Sequence, residues 1–113
     1  MAQLTQYRQI IQNILTEYRD WAAGSNKIGV QECIAFDEER DHYFWFSVGW
    51  DGKQRAFGVR VYLRIENDKI WIEEDWTEQS IAHDLFETGI PAEDIVLGFH
   101  HSSKCPLTEF ATA

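Results

Sequence analysis

Two turn signals cut the middle of this chain into strands of defined length, and no other feature limits its fold as tightly. Asp51-Gly52 separates His42–Trp50 from Gln54–Glu66, and Asn67-Asp68 separates that segment from Lys69–Asp75. Both dipeptides suit two-residue hairpin loops, where the backbone must take positive φ. The flanking segments alternate and are rich in Val, Ile, Tyr, Phe and Trp, as strands are. A further strand, about Ile28 to Phe36, is joined to them by the polar loop Asp37-Glu38-Glu39-Arg40-Asp41. Parallel crossovers need a dozen or more residues, so these short connections predict an antiparallel meander.

Helices flank the strands. Leu4, Tyr7, Ile11, Ile14, Leu15, Tyr18, Trp21 and Ala22 fall on one helical stripe, with Arg8, Gln12, Glu17 and Arg19 largely outside it. Gly24 is the natural stop. After the strands, Thr77 suits an N-cap and Glu78 the positive start of a short helix that carries Ile81, Leu85 and Phe86. Pro91, with Glu93 and Asp94 behind it, fits the first turn of another. Ile95-Val96-Leu97-Gly98-Phe99 suits a short strand or a buried extended segment, and Phe110 anchors the aperiodic tail. With 113 residues the chain suits one domain, 1–113. The expected fold is α+β: a long N-terminal helix packed on a four-stranded antiparallel meander, then two short C-terminal helices.

The turns also predict faces. Loops at Asp51-Gly52 and Asn67-Asp68 pair Phe46 with Phe57, Phe44 with Val59, Ile65 with Ile70 and Leu63 with Ile72. Phe44, Phe46, Phe57, Val59, Val61, Leu63, Ile65, Ile70 and Ile72 then share the core face under the N-terminal helix. Tyr43, Trp45, Arg60, Tyr62, Arg64, Trp71, Glu73 and Asp75 share the opposite face, with Arg60 beside Asp75 and Arg64 opposite Trp71. Aromatics mixed with Arg have the composition of interface hot spots. These eight residues are therefore the candidate partner-binding surface, left to water, a homodimer mate or a partner unless the C-terminal segment folds over it.

Charge narrows the partners. A net charge of −9 and a pI of about 4.7 repel phosphate backbones, and direct nucleic-acid binding needs a basic face. Only Arg55, Arg60 and Arg64 offer a local basic cluster. No apolar stretch approaches the roughly 20 residues of a membrane span, and no signal-peptide pattern opens the chain. Cys33 and Cys105 lie far apart without a CxxC, which suits reduced thiols and a cytoplasmic setting.

The acid run Glu73-Glu74-Asp75 is unusual, because strand interiors disfavour Asp and Glu. Alternation sends Glu73 and Asp75 to one face and Glu74 to the other, so the three do not converge on one ion. Glu74 then sits at the rim or caps the next helix. His100-His101 with Cys105 lacks zinc-site spacing. No GxSxG, P-loop or GxGxxG motif occurs. The expectation is a non-enzymatic protein without metal or cofactor. The alternative is a small enzyme or metal-binding protein that uses Glu73, Asp75 and His100.

The run Ile70-Trp71-Ile72-Glu73-Glu74-Asp75-Trp76-Thr77-Glu78 resembles the signature of the XisI family. So do Phe36-Asp37-Glu38-Glu39-Arg40-Asp41-His42-Tyr43, Ile90-Pro91, Ile95-Val96-Leu97-Gly98-Phe99-His100 and Thr108-Glu109-Phe110-Ala111. Tyr7-Arg8-Gln9-Ile10-Ile11 and Leu15-Thr16-Glu17-Tyr18 are similar as well, so the resemblance spans almost the whole chain. Cys105 and Leu107, beside Pro106, depart from the basic residue and Tyr that relatives tend to carry. The resemblance implies a cyanobacterial fdxN element excision controlling factor, an accessory in DNA rearrangement during heterocyst differentiation. It implies protein partners, a XisH-like companion with a nuclease-type fold and a site-specific recombinase, and no catalysis.

Overall fold

The computed structural model describes residues 2–24, 28–77, 80–98 and 111–112. Helix α1 (Ala2–Gly24) precedes strands β1 (Val30–Asp37), β2 (His42–Asp51), β3 (Gln54–Glu66) and β4 (Lys69–Asp75). Helix α2 (Ile81–Glu87), a single 3-10 turn (Ala92–Asp94), β5 (Ile95–Leu97) and the two-residue β6 (Ala111–Thr112) follow. The strands lie in sheet order β1-β2-β3-β4-β5-β6. The first four run antiparallel, whereas β5 is parallel to β4 and β6 parallel to β5.

The expected four-stranded meander is thus corrected to a mixed sheet of five strands with a short sixth at its edge. The reason is the connection after β4. Residues 76–94 contain α2 and are long enough to carry the chain back for a parallel pairing. Of the two expected C-terminal helices, one is α2 and the other is only the 3-10 turn behind Pro91.

Helix α1 lies across β1 and β2 and buries Tyr7, Ile11, Ile14 and Leu15. Trp21, placed on the same stripe by periodicity, instead stands 72% exposed. Polar contacts hold the helix at its N-terminal half. Arg8 donates from Nε and Nη2 to the Asp41 carboxylate at 2.7 and 3.1 Å, and Tyr43 Oη donates to the same carboxylate at 2.8 Å. Tyr7 Oη donates to Asp94 Oδ2 at 2.7 Å.

The sheet register departs from strict alternation at two places. The β2–β3 loop is Gly52-Lys53, because Asp51 pairs with Gln54, so Phe46 opposes Val59 and Val48 opposes Phe57. One residue further the register shifts: Trp45 opposes Val61, which leaves Arg60 as an extra residue. Between β3 and β4 the loop is Asn67-Asp68 as expected, with φ of 56° and 62°. Ile65 opposes Ile70, Arg64 opposes Trp71 and Leu63 opposes Ile72, as the turn predicts. Then Tyr62 opposes Glu74, which leaves Glu73 as a second extra residue. An extra residue shifts the alternation by one for everything beyond it.

The predicted core face is therefore correct only on one side of each bulge. Val61, Leu63, Ile70 and Ile72 are buried toward the helices, with Ile65 partly so. Tyr43 and Trp45 are buried with them, while Phe57 and Val59 are exposed. On β2, Phe44 and Phe46 alternate away from the buried pair. Hydrogen bonding explains why Trp45 belongs inside. Its Nε1 donates to Glu32 Oε1 at 2.8 Å, and Ser47 Oγ donates to the same oxygen at 2.8 Å. The Tyr18 ring stacks on the indole with centroids 5.7 Å apart. Ile81, Ala82, Leu85, Ile95 and Leu97 complete this single core.

Candidate functional site

Both helices contribute to the one core on the inner side of the sheet. Among the described residues no helix covers the outer side. That side is the candidate site, and it has two halves. The apolar half comes from β2 and β3, where Phe46, Val48 and Val59 surround Phe57, which is 71% exposed. Arg55 sets its guanidinium over the Phe57 and Trp50 rings, at 5.6 and 5.3 Å from their centroids.

The polar half comes from the far ends of β2, β3 and β4. Phe44 and Tyr62 stack nearly parallel, 4.3 Å apart, and Tyr62 Oη lies 2.7 Å from His42 Nδ1. Burial raises the Tyr62 phenol above its ordinary range, so it stays a neutral hydroxyl. Arg64 lies over the Trp71 ring at 4.7 Å. Its guanidinium pairs with Glu73 at 2.5 Å and with Glu66 at 3.0 Å. Burial is the largest single influence on Arg64 and opposes its charge; hydrogen bonds and attraction from both carboxylates outweigh it, and the group is held charged. Trp71 Nε1 donates to the Glu66 carbonyl at 3.1 Å.

Of the eight residues expected on one face, the structure gathers Tyr62, Arg64, Trp71 and Glu73 on the outer side. It moves Tyr43, Trp45, Arg60 and Asp75 to the inner side, because the bulges change the phase between the two groups. The expected row of Arg60 beside Asp75 is broken: Asp75 pairs with Val61. Arg60 lies over the Trp45 ring at 5.4 Å. Asp75, and not Glu74, caps the next helix. Its Oδ2 accepts from the Ile81 N–H at 2.9 Å and its Oδ1 from the Thr77 N–H at 2.8 Å. Thr77 is consequently not the N-cap, a position taken by Ser80, which makes no side-chain cap bond.

The same geometry limits the chemistry. Glu73 and Asp75, joined in the enzyme or metal alternative, point to opposite sides of the sheet, and His100 lies outside the described residues. Among the described residues, no group of three or more His, Cys, Asp or Glu is placed to hold a metal ion. Arg55, Arg60 and Arg64 do not form one basic patch, since Arg60 is on the inner side and Arg64 is ion-paired twice. No helix of the described residues is long and apolar enough to cross a membrane. The outer side thus carries exposed aromatic area beside one oriented ion-pair cluster.

Sequence reasoning missed Phe57, Phe46 and Val59 as surface residues. Gly58 was the available cue, because a glycine inside a strand often marks a bulge nearby.

The fold is α+β, with both helices on one side of a mixed sheet and, among the described residues, no helix on the other. Comparison with known proteins makes this specific. The family described as XisI protein matches residues 1–112, and the chain belongs to that family. A solved structure of a XisI-like protein from Anabaena variabilis is 32% identical, with a TM-score of 0.87 over 97% of this chain and 99% of that one. A second, named as fdxN element excision controlling factor XisI from the same organism, is 49% identical, with a TM-score of 0.82 over 96% of this chain and 97% of that one. No protein curated for its function matches.

Proposed function

We propose that this protein is an accessory factor controlling excision of a DNA element of the fdxN type. It acts by binding other proteins and not by catalysis. The observation that carries the reading is family membership over residues 1–112, together with 49% identity to a structure named as an excision controlling factor. The partner is a XisH-like protein of nuclease-type fold, and through it a site-specific recombinase. The outer sheet face supplies the contact: Phe57 and Trp71 as anchors, Tyr62 beside them, and Arg64 with Glu73 as the oriented polar pair. A net charge of −9 complements a basic, DNA-handling companion and speeds its encounter.

Co-expression with a XisH-like companion tests this, with the mass of the purified complex as readout. A defined hetero-complex is expected, weakened about tenfold or more by Phe57→Ser or Trp71→Ala. A homo-oligomer that ignores the companion overturns the pairing. A complex untouched by both substitutions moves the contact off this face.

A further inference from the structure

Strand β3 outruns its neighbour. It is 13 residues long, whereas β4 has 7. The β3–β4 ladder ends where Val61 pairs with Asp75, and the last bond on that side runs from the Trp76 N–H to the Arg60 carbonyl at 2.9 Å. Residues 54–59 therefore have β2 on one side and, among the described residues, no strand on the other. Asp51 and Gln54 close a two-residue loop, which makes them a hydrogen-bonded pair. Alternation then turns the N–H and C=O of Arg55, Phe57 and Val59 away from β2, toward the open side. Trp50, opposite Arg55, agrees with this phase: its own N–H goes to Gly29 on the far side, at 2.8 Å. No hydrogen bond from the described residues reaches those three main-chain positions. Such a row of donors and acceptors is a template for another strand.

The open stretch lies beside a hollow of about 470 Å³, lined by Ser47, Phe57, Gly58, Val59, Arg60 and Trp76. Phe57, Val59 and Trp76 are 71%, 40% and 70% exposed. Edges that must stay single are blunted by Lys, Pro or inward charges; this one presents apolar side chains instead. Gly58 adds a notch between them, since a Cβ there would meet nothing within 4 Å. The charge at both ends of the stretch is positive. Arg55 lies over the Trp50 and Phe57 rings and Arg60 over the Trp45 ring, and among the described residues neither pairs with a carboxylate. In a chain with 19 acids against 10 Lys and Arg, two guanidiniums left without an acid at one edge set the sign of what fits there.

We infer that residues 55–59 of β3 take up an extended segment of a partner protein as an added antiparallel strand, with apolar side chains against Phe57 and Val59 and carboxylates at Arg55 and Arg60. Main-chain bonds supply the attachment and alternate side chains the selectivity, as in other cases of strand addition. A large side chain of the added strand lies across the Gly58 notch, where it covers a glycine that packs nothing of its own. The inference rests on the outer face being the contact, and adds how the backbone of the partner engages it. A second copy placed edge to edge is the poorer occupant. Its own Arg55, Phe57 and Val59 would lie opposite and supply no carboxylate.

The test is a fluorescence-anisotropy titration with the labelled peptide Glu-Val-Tyr-Val-Thr-Glu, which sets its acids at Arg60 and Arg55, its valines at Val59 and Phe57 and its tyrosine at Gly58. Saturable binding is expected. N-methylation of both valines keeps every side chain and removes the N–H groups that face β3, and should weaken binding about tenfold or more. Lys in place of both Glu should weaken it by a similar factor, and Arg55→Gln in the protein by about threefold, less in high salt. Amide exchange at Arg55, Phe57 and Val59 should slow about tenfold or more when the peptide is bound. Trp71→Ala, in the polar half of the outer face, should leave peptide binding unchanged. No saturation, equal binding of the N-methylated peptide, or unchanged exchange at the three amides overturns the inference. A dimer in the free protein that protects the same amides also overturns it, in favour of a second copy. Peptide binding without a companion complex fells the XisH-like pairing and leaves this site standing. A companion complex that Phe57→Ser weakens, with the three amides still exchanging freely, keeps the outer-face reading and overturns this one.

Discussion

Trp45 and Phe46 are neighbours in the chain and live on opposite sides of the sheet. On the inner side, the Trp45 indole is stacked by Tyr18, and its N–H is taken by a buried carboxylate. On the outer side, Phe46 sits in a face whose most prominent member, Phe57, stands largely in water. Both faces are aromatic, so hydrophobicity does not choose between them. What distinguishes them is polar satisfaction and helical cover: the inner face answers its own hydrogen bonds and α1 lies on it. The outer face has Trp71 under Arg64 and Trp50 and Phe57 under Arg55, with Phe57 still largely exposed.

That contrast can be broken most directly at matched positions. Trp45→Ala should cost about 3–5 kcal/mol in urea unfolding, as for other buried aromatics, and also removes one donor from Glu32. Phe57→Ser should change stability by less than about 0.5 kcal/mol, as surface substitutions usually do. Similar losses for both would show that the outer face is structurally covered after all. A smaller effect belongs to Asp75, the inner member of the acid run. Asp75→Ala removes the acceptor for the Ile81 N–H and should cost about 1 kcal/mol, with faster amide exchange at Ile81, whereas Glu74→Ala should do little. Unchanged exchange at Ile81 would mean that the cap does not hold α2.

The smallest expected effect is a pH dependence where α1 meets the β1–β2 turn. The Arg8 hydrogen bonds hold the Asp41 carboxyl below its usual range, with help from the Tyr43 hydroxyl, against an opposing effect of burial. A depressed native value means stability that is present above the ordinary carboxylate pKa of about 4 and lost as pH falls through the lowered one. Asp41→Asn should therefore flatten the acid limb of a melting-temperature curve below about pH 4, and lower the plateau slightly above it. An acid limb parallel to that of the parent would exclude this contact as a source of acid lability.

The strand bounds were legible where turn chemistry is strong. Gln54–Glu66 and Lys69–Asp75 are observed as expected, and Asn67-Asp68 sets the register through Leu63 and Ile72. The helical stripe of Tyr7, Ile11, Ile14 and Leu15 was legible for the same reason, a long and regular period. The faces were not, because β2 offers aromatics on both sides: Tyr43 and Trp45 on one, Phe44 and Phe46 on the other. A choice between such sets rests on counting residues, and one uncounted residue at Arg60 or Glu73 reverses it. The segment of β5 was legible as a short strand or buried extended stretch, but its parallel place beside β4 was not. Three residues, Ile95 to Leu97, are too few to show a period of their own. For the candidate site, only half of the named members share the outer side, because of the same uncounted residues at Arg60 and Glu73.

The two bulges also decide where this fold can lose length. Arg60 is surplus to the β2–β3 pairing, though its carbonyl accepts from the Trp76 N–H, and Glu73 is surplus to the β3–β4 pairing, so deleting either one leaves Phe46 with Val59 and Trp45 with Val61, or Leu63 with Ile72 and Tyr62 with Glu74, in register. Deleting Leu63 or Ile72 instead would turn one arm of the strand over. Most proteins keep such tolerance in their loops. Here the slack is stored inside the ladder, at two points where the chain can be shortened by one residue and still read the same.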